Sequence, residues 1–458
     1  MSGAVSRLGD VELPDFGMPE AMPVLADSVY LERIEELRAR ADERGYQVVV
    51  VYADREHSAN ISYLTGFDPR FEEAMLVVSG EGDPAVLVGN ENEGTAGAAP
   101  LPMRVRLFQD FSLPNQPRDR SLPLDRILAE EGVDSGTRVG VVGWKTFPDR
   151  STLDVPSYIA DCLRGLAGTD SVENATDLLI DASSGMRVIN EVEQLAVFEY
   201  AACQTSNGVR NLLFELKTGM TEQEAVSLLR WNGAPLSCHL MLTAGERARF
   251  GLLSPSDRPI GRGEPLTVAF GIWGALNCRA GFVAEGPDDL ADDITDYVDV
   301  LVRPYFETVA GWYRALHIGQ KGGVLQEIVD RGLGDPFFGI FLNPGHQIHL
   351  DEWVNSPVGP GSEIELRSGM AMQVDIIPAT GTRYFTTNIE DGIALADQDL
   401  RARFARSYPE AWRRINARRE FMRDALGIDL HPDVLPFSNI PAFLPPFLLS
   451  PTRAMTLV

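Results

Sequence analysis

Short apolar segments alternate with helical patterns in the first 185 residues of the chain. Leu31, Ile34 and Leu37 recur at the spacing of a helix, and a further helix is predicted over 155–166. Segments rich in β-branched residues, short enough to be buried strands, occupy 46–53, 74–79, 84–89 and 138–144. This alternation predicts an α/β domain over 28–185.

The second part of the chain combines long helical patterns with a pair of strands. Apolar residues at helical spacing predict a long helix that begins near 192, and Thr221 with Glu224 has the pattern of a capping box. A second long helix is predicted over 288–316, with a kink or break at Pro304. Further on, 370–378 and 384–395 are predicted to form strands.

The last two predicted strands place two carboxylates opposite each other. If the hairpin turns about Thr382 and Arg383, Asp375 faces Glu390 directly, with Cβ atoms about 5 Å apart. Two carboxylates that close do not both stay ionised without a large energetic cost, so the pair either binds a cation or holds a proton. The alternative is a solvated hairpin face that carries charges on both strands.

Length and charge narrow the possible functions. The 458 residues, 44% of them hydrophobic, are too many for one core and predict two domains with extensions. A net charge of −26 argues against nucleic acid and against anionic membrane surfaces as partners. No apolar run approaches the ~20 residues of a membrane helix. Neither nucleic acid nor a membrane is therefore expected as a partner.

The cysteines and the N-terminal residues indicate a cytoplasmic protein. Cys162, Cys203, Cys238 and Cys278 show no paired spacing, which predicts free thiols in a reducing compartment. Residues 1–27 are rich in Gly and Pro, acidic, and without the apolar centre of a signal peptide.

Three segments near the end of the chain resemble a known family. GHQIHLDEW (345–353), GMAMQVDIIP (369–378) and IEDG (389–392) are similar to the C-terminal half of the creatinase/aminopeptidase P family, which has the pita-bread fold. DREHSANISYLTGFDPRFE (54–72) and PAVLVGNE (84–91) resemble the N-terminal domain of the same family.

The resemblance implies an α/β (α+β) fold class and a division of the chain. A creatinase-like N-terminal α/β domain is expected over 28–185, and a pita-bread catalytic-type domain over 186–425. An N-terminal extension covers 1–27, and a Pro-rich apolar tail covers 426–458. Because an exposed apolar tail would promote aggregation, it is expected to wrap along its own or a partner subunit. Family members often cap the site of a neighbouring subunit, which implies a homodimer.

In the metallopeptidase members of the family, residues at the positions of His346, Asp375 and Glu390 are three of five ligands to a dinuclear metal site. The other two positions fall on Ala269 and Leu276, which cannot bind metal. A metal-independent site without a cofactor is therefore predicted. The alternative is one zinc, manganese or iron ion held by His346, Asp375 and Glu390.

The predicted function follows the metal-free member creatinase, whose corresponding segment resembles 271–279 and also lacks the Asp pair. We predict a hydrolase that cleaves a C–N bond in a small polar or amino-acid-like molecule. His346 would shuttle a proton, and Asp375 or Glu390 would be the general base or acid. Arg279 is expected to hold a substrate carboxylate. The other expected substrate-binding residues are Cys278, Asn277, Trp273, His349 and Glu352.

Three alternative functions use the same residues. They are a metal-dependent Xaa-Pro peptidase-like hydrolase with a reduced metal site, a lyase acting on a small carboxylate, and a catalytically inactive binding scaffold. The presence of His346, Asp375 and Glu390 favours an enzyme, because buried unpaired charge is costly unless it is used.

Overall fold

The computed structural model describes residues 5–458, which divide into two units. The smaller unit is Leu25–Arg187, and the larger consists of 5–24 together with Val188–Val458. The sequence places the boundary between the domains at 185. The first four residues of the expected N-terminal extension lie outside the described residues.

The fold class is α/β, as predicted, with strands and helices in both units. The strands are β1 (Ser6–Asp10), β2 (Val48–Ala53), β3 (Ala74–Ser79), β4 (Ala85–Val88), β5 (Arg104–Leu107), β6 (Val139–Val142), β7 (Val172–Asn174), β8 (Met241–Ala244), β9 (Pro265–Ile272), β10 (Ala275–Phe282), β11 (His346–Gln347), β12 (Ala371–Ile376), β13 (Asn388–Leu395), β14 (Val434–Pro436) and β15 (Arg453–Leu457). The helices are α1 (Asp27–Arg44), α2 (Ala59–Thr65), α3 (Glu93–Ala96), α4 (Leu124–Glu130), α5 (Ser157–Ala167), α6 (Asp177–Ile180), α7 (Val192–Glu215), α8 (Glu222–Ser227), α9 (Arg303–Ala315), α10 (Gly322–Leu333), α11 (Gln398–Ser407) and α12 (Pro409–Asp424).

The smaller unit, Leu25–Arg187, is built on a six-stranded mixed sheet in the order β5-β4-β3-β2-β6-β7. β2 pairs antiparallel with β3 and parallel with β6. Every residue of β2 is buried, which is usual for a strand covered on both faces of its sheet. The strands predicted over 46–53, 74–79, 84–89 and 138–144 and the helix over 155–166 are found within two residues of those bounds.

The larger unit, within 188–458, contains a seven-stranded antiparallel sheet in the order β11-β12-β13-β10-β9-β8, with β14 also paired to β13. β13 shares one edge between two partners, since its first part pairs with β10 and its last part with β14. Helix α7 contacts β9, β10 and β13. The capping box of Thr221 and Glu224 begins α8, as predicted.

The helix predicted over 288–316 is shorter than expected. Helix α9 begins at Arg303 with Pro304 in its first turn, after a single π-helical turn over Val298–Val302. Proline lacks a backbone N–H and fits the first turn of a helix. The preceding acidic segment, 288–296, offers few apolar residues to pack against the core, and it forms short turns instead.

The Pro-rich tail is buried along its own chain. Every residue from 434 to 448 is buried, and β15 pairs antiparallel with β1 near the N-terminus. The expectation that the tail covers apolar surface is therefore met within one chain. As a result, the tail gives no support to the predicted homodimer, which rests on the resemblance alone.

A buried charge cluster ties α7 to α12. Glu199 accepts two hydrogen bonds from Arg414, at 2.9 and 2.7 Å, and lies 2.9 Å from a nitrogen of Arg418. All three side chains are buried. The two guanidinium groups hold the pKa of Glu199 below its usual value despite the opposing effect of burial.

We expect Glu199→Gln to destabilise the larger unit, because it leaves two buried guanidinium groups without their anion. Breaking a buried ion pair costs about 3–5 kcal/mol, so the denaturant midpoint of unfolding should fall clearly. Glu410→Gln, which removes an exposed ion pair with Arg413, is the control and should cost about 1 kcal/mol or less. Equal midpoints for the two variants would contradict this account of the cluster.

Candidate active site

Five neighbouring strands of the larger sheet carry a row of side chains on one face. The strand register pairs Asp375 with Glu390, Glu390 with Cys278, Cys278 with Ala269, and Ala269 with Met241. Directly paired residues of antiparallel strands point to the same face. The predicted pairing of Asp375 with Glu390 is confirmed.

The connection between the two acidic strands is longer than the predicted hairpin turn. β12 ends at Ile376 and β13 begins only at Asn388, so the intervening residues form a wide loop. Phe385 in this loop has a positive φ of 55°, and Thr380 donates to its carbonyl through the hydroxyl. The loop nevertheless preserves the symmetry that brings the two carboxylates opposite each other.

His346 brings an imidazole to the same face from β11, where it pairs with Gln373 of β12. The preceding Gly345 has a φ of 127°, and a Cβ atom there would lie 2.8 Å from Trp312, so the approach to His346 favours glycine. The imidazole is fully buried and stacks on the ring of Trp353 with centroids 4.1 Å apart. Its Nδ1 lies 3.2 Å from the Gln347 carbonyl, which leaves Nε2 facing the acidic row.

Three carboxylates surround Nε2 of His346. Glu352 Oε1 lies 3.3 Å away, Glu390 Oε1 3.5 Å and Asp375 Oδ2 3.8 Å. Asp375 and Glu390 are buried, whereas the Glu352 side chain is 27% exposed. Among residues 5–458, His346 is the only ion-pair partner of these three carboxylates. We call His346, Glu352, Asp375 and Glu390 the acid–imidazole cluster.

Burial is the largest cause that raises the pKa values of the three carboxylates in the acid–imidazole cluster. Burial, and then the charge of Glu390, raises the pKa of Asp375 to about 8. Burial raises the pKa of Glu390 to about 7. The pKa of Glu352 is raised to about 7 by burial, with the charges of Glu390 and Asp375 adding to the effect. Groups with such values exchange protons near neutral pH, as general acids and bases must.

Cys278 holds one oxygen of Glu390. Its Sγ donates to Glu390 Oε2 at 2.8 Å, and both side chains are buried. Burial, followed by the charge of Glu390, raises the pKa of this thiol well above its usual value. Because nucleophilic cysteines react as thiolates, Cys278 is a hydrogen-bond donor here and not a nucleophile.

The structure corrects the substrate-binding roles predicted for Arg279 and Asn277. Both alternate with Cys278 along β10 and therefore point to the opposite face of the sheet. Arg279 is paired with Asp391 at 2.8 Å and donates to the Phe443 carbonyl at 2.8 Å. Asn277 donates to Asp391 at 2.8 Å. Both side chains are buried and engaged behind the sheet, so neither is placed to hold a substrate carboxylate.

The remaining predicted substrate-binding residues lie in three different settings. Trp273 is in the turn between β9 and β10, where its backbone N–H donates to the Pro235 carbonyl. His349 is buried with its ring edge-on to Phe198, at 5.0 Å between centroids. Glu352 joins the acid–imidazole cluster itself. The sequence marked Glu352 as a substrate-binding residue within GHQIHLDEW, but its place beside His346, Asp375 and Glu390 was not predicted because it lies in a loop without periodicity.

The residues present do not fit a dinuclear metal site. Two of the five ligand positions in the metallopeptidases fall on Ala269 of β9, which pairs with Cys278, and on Leu276 of β10, which pairs with Gly271. Neither side chain has an atom that can bind a metal ion. His346, Glu352 and Glu390 each offer one donor atom, and these atoms lie within 4.8 Å of one another. That set fits a single divalent ion.

Comparison with known proteins shows which family the N-terminal residues match and which solved structures share the fold. Residues 33–149 match the creatinase/prolidase N-terminal domain family. About four fifths of the chain is similar in structure to solved prolidases, and the family resemblance predicted from the sequence is confirmed at the level of the N-terminal domain and of the fold. No curated protein matches the sequence.

Three solved structures illustrate the similarity. The prolidase from Thermococcus sibiricus has a TM-score of 0.63 and 18% identity, covering 81% of this chain and 95% of that one. The prolidase from Pyrococcus horikoshii OT3 has a TM-score of 0.60 and 18% identity, covering 80% and 95%. The X-Pro aminopeptidase from Thermotoga maritima MSB8 has a TM-score of 0.59 and 16% identity, covering 80% and 95%. At these identities the likeness establishes the fold.

Within the described residues, no helix combines the length and apolar character that a membrane crossing requires.

We expect Asp375→Asn to stabilise the protein at about pH 8 and to have a smaller effect at about pH 4. The pKa of Asp375 is raised in the folded state, so this carboxyl lowers stability progressively as pH rises from its unfolded value near 4 towards 8, and an amide removes that penalty. Melting temperatures measured across this range in the presence of a chelator test it. Asp293→Asn, at an exposed ion pair with Arg383, is the control. A variant that melts below the native protein at about pH 8 would show a structural role for the carboxylate instead.

Proposed function

We propose that the protein is a peptidase-like hydrolase that cleaves a C–N bond in a small polar or amino-acid-like molecule without a metal ion. The observation that carries the proposal is the acid–imidazole cluster, in which three carboxylates with raised pKa values surround one buried imidazole nitrogen. The prolidase fold supports hydrolysis as the reaction class.

In the proposed reaction, Glu390 is the general base. Its Oε2 is occupied by the Cys278 thiol, whereas its buried Oε1 has no hydrogen-bond partner among the described residues. Oε1 removes a proton from a water molecule, whose oxygen bonds to the carbon of the scissile C–N bond. The electron pair of that bond leaves with the nitrogen.

His346 and Asp375 complete the proton balance. Nε2 of His346 delivers a proton to the leaving nitrogen. Glu390, whose Oε1 lies 3.5 Å from this Nε2, then passes the proton taken from water to His346. Asp375, with a pKa of about 8, is protonated near neutral pH and can donate a hydrogen bond to the oxygen on which negative charge develops. One proton is removed from water and one is given to the amine, so the cluster returns to its starting state.

A one-metal hydrolase is the second candidate, and the convergence of donor atoms from His346, Glu352 and Glu390 favours it. A divalent ion bound there would polarise the scissile group and lower the pKa of a bound water molecule. The same side chains would then hold the ion.

A cytoplasmic location and a homodimeric state are further parts of the proposal. The acidic sequence with its free cysteines supports the first, and the family resemblance supports the second.

The proposed roles predict that Glu390→Gln and His346→Ala each lower kcat by about 10²–10⁴. A panel of Xaa-Pro dipeptides and small amides, ureas and amidines, assayed by release of amine, tests this. Cys162→Ser, in the smaller unit, is the control and should leave the rate unchanged. Unaltered rates in Glu390→Gln would contradict the assignment of the base. An unsaturated product formed without uptake of water would indicate a lyase, and absence of turnover across the panel would favour a binding scaffold.

Elemental analysis of the purified protein separates the two candidates. After extensive dialysis we expect well below one zinc, manganese or iron ion per chain, because Ala269 and Leu276 supply no donors. Activity should survive treatment with a chelator. Near one ion per chain, together with loss of activity on chelation and its return on adding metal, would overturn the metal-free proposal.

A further inference from the structure

Two histidines outside the acid–imidazole cluster lie side by side on the larger unit. His317 follows helix α9, and His431 belongs to the C-terminal tail. Their ring centroids are 5.4 Å apart, and the ring planes are inclined by 46°. His317 is half-buried and the side chain of His431 is 46% exposed, so the pair is open to solvent. Neither residue takes part in the proposed reaction.

Each ring is fixed through its Nδ1 atom. Nδ1 of His317 lies 2.8 Å from the carbonyl oxygen of Ile318, and Nδ1 of His431 lies 3.0 Å from Oδ2 of Asp433. Because carbonyl and carboxylate oxygens accept hydrogen bonds, both Nδ1 atoms are donors. The backbone N–H of Asp433 is farther from Nδ1 of His431, at 3.4 Å, so the carboxylate sets the tautomer. In both neutral rings the lone pair is therefore on Nε2.

The two Nε2 atoms have the properties of metal ligands. Within residues 5–458, neither forms a hydrogen bond or an ion pair. A histidine that binds a metal ion usually donates its other ring N–H to a carboxylate or a backbone carbonyl, which fixes the tautomer and makes the ring a better ligand. His317 donates to a carbonyl and His431 to a carboxylate, so both rings meet this requirement.

The separation of the two rings suits a shared ion. Zinc binds an imidazole nitrogen at about 2.1 Å, so each ring centroid would lie about 3.2 Å from the ion. At the tetrahedral angle two such centroids are about 5.2 Å apart, close to the observed 5.4 Å. Imidazole ligands suit zinc, copper and nickel, whereas calcium and magnesium require oxygen ligands.

The segments that carry the two histidines are already joined to each other. Oδ2 of Asp433 accepts from the backbone N–H of Ile318 at 3.3 Å as well as from the ring of His431. Arg401 donates to the other oxygen of Asp433 at 2.8 Å, and Arg419 donates to the His431 carbonyl at 3.0 Å. Because these contacts hold the tail beside the end of α9, little ordering is left for a ligand to bring about.

We propose that Nε2 of His317 and Nε2 of His431 bind one divalent transition-metal ion of the zinc, copper and nickel class, with water completing its coordination shell. The ion fastens the C-terminal tail to the segment that follows α9. A site with two protein ligands is weaker than zinc sites with three or four, so a chelator followed by dialysis removes the ion. The inference does not depend on the proposed hydrolysis.

Titration of the untagged, full-length protein with zinc, after chelation and dialysis, tests the proposal. By calorimetry, His317→Ala and His431→Ala should each weaken zinc binding about tenfold or more, because each removes one of two ligands. His57→Ala is the matched control and should leave binding unchanged, since His57 is also paired with a carboxylate, at 3.0 Å from Asp54, but its ring lies against Trp144. Circular dichroism verifies that each variant is folded.

Electron paramagnetic resonance of the copper-loaded protein separates this site from the acid–imidazole cluster. Copper bound by His317 and His431 should show coupling to two nitrogen nuclei, whereas the metal-binding group of the cluster contains the single imidazole of His346. The two-nitrogen signal should persist in His346→Ala and disappear in His431→Ala.

Several outcomes would overturn the inference. They are absence of zinc binding at millimolar zinc, binding that only one of His317→Ala and His431→Ala weakens, binding that neither weakens, and copper coupled to a single nitrogen. Zinc binding that His346→Ala alone abolishes would also overturn it, and it would place the ion in the acid–imidazole cluster in support of the one-metal hydrolase.

Discussion

The register between β12, β13 and β10 is the constraint on which the acid–imidazole cluster depends. It sets Asp375 opposite Glu390 and Glu390 opposite Cys278. In a β-sheet a shift of one residue turns every side chain of the strand to the other face. Such a shift of β13 would bring Asp391 to the position of Glu390 and would separate Asp391 from Arg279 behind the sheet.

The opposite face of the sheet holds this register in place. Asp391 accepts hydrogen bonds from Arg279 and Asn277 of β10 and from the backbone N–H of Ala442. The adjacent acidic residues Glu390 and Asp391 thus have different environments. Asp391 is paired with a guanidinium, whereas Glu390 lies beside two other carboxylates, and burial raises its pKa to about 7. Strand alternation places these neighbouring carboxylates on opposite faces of the sheet, Asp391 beside Arg279 and Glu390 in the acid–imidazole cluster.

The parts of the site that local pattern determines could be predicted from the sequence. The pairing of Asp375 with Glu390 followed from the symmetry of the predicted hairpin, even though the loop between the strands is wider than expected. The roles of Arg279 and Glu352 could not be predicted in this way. The role of Arg279 depends on which face of β10 its side chain occupies and on its ion pair with Asp391 of β13. Glu352 depends on the path of an irregular loop, which no periodicity encodes.

The C-terminal tail also affects the order in which the two units can fold during synthesis. Arg279 donates to the carbonyls of Ile440 and Phe443, and Asp391 accepts from Ala442, so the support behind the acidic row comes from near the C-terminal end of the chain. On the ribosome, domains fold from the N-terminus as synthesis proceeds. The smaller unit precedes the acidic strands in the chain, and the sheet that carries the acidic row lacks its backing until residues 440–443 emerge. A chain truncated before Ile440 would therefore leave Arg279 and Asp391 without their carbonyl and amide partners.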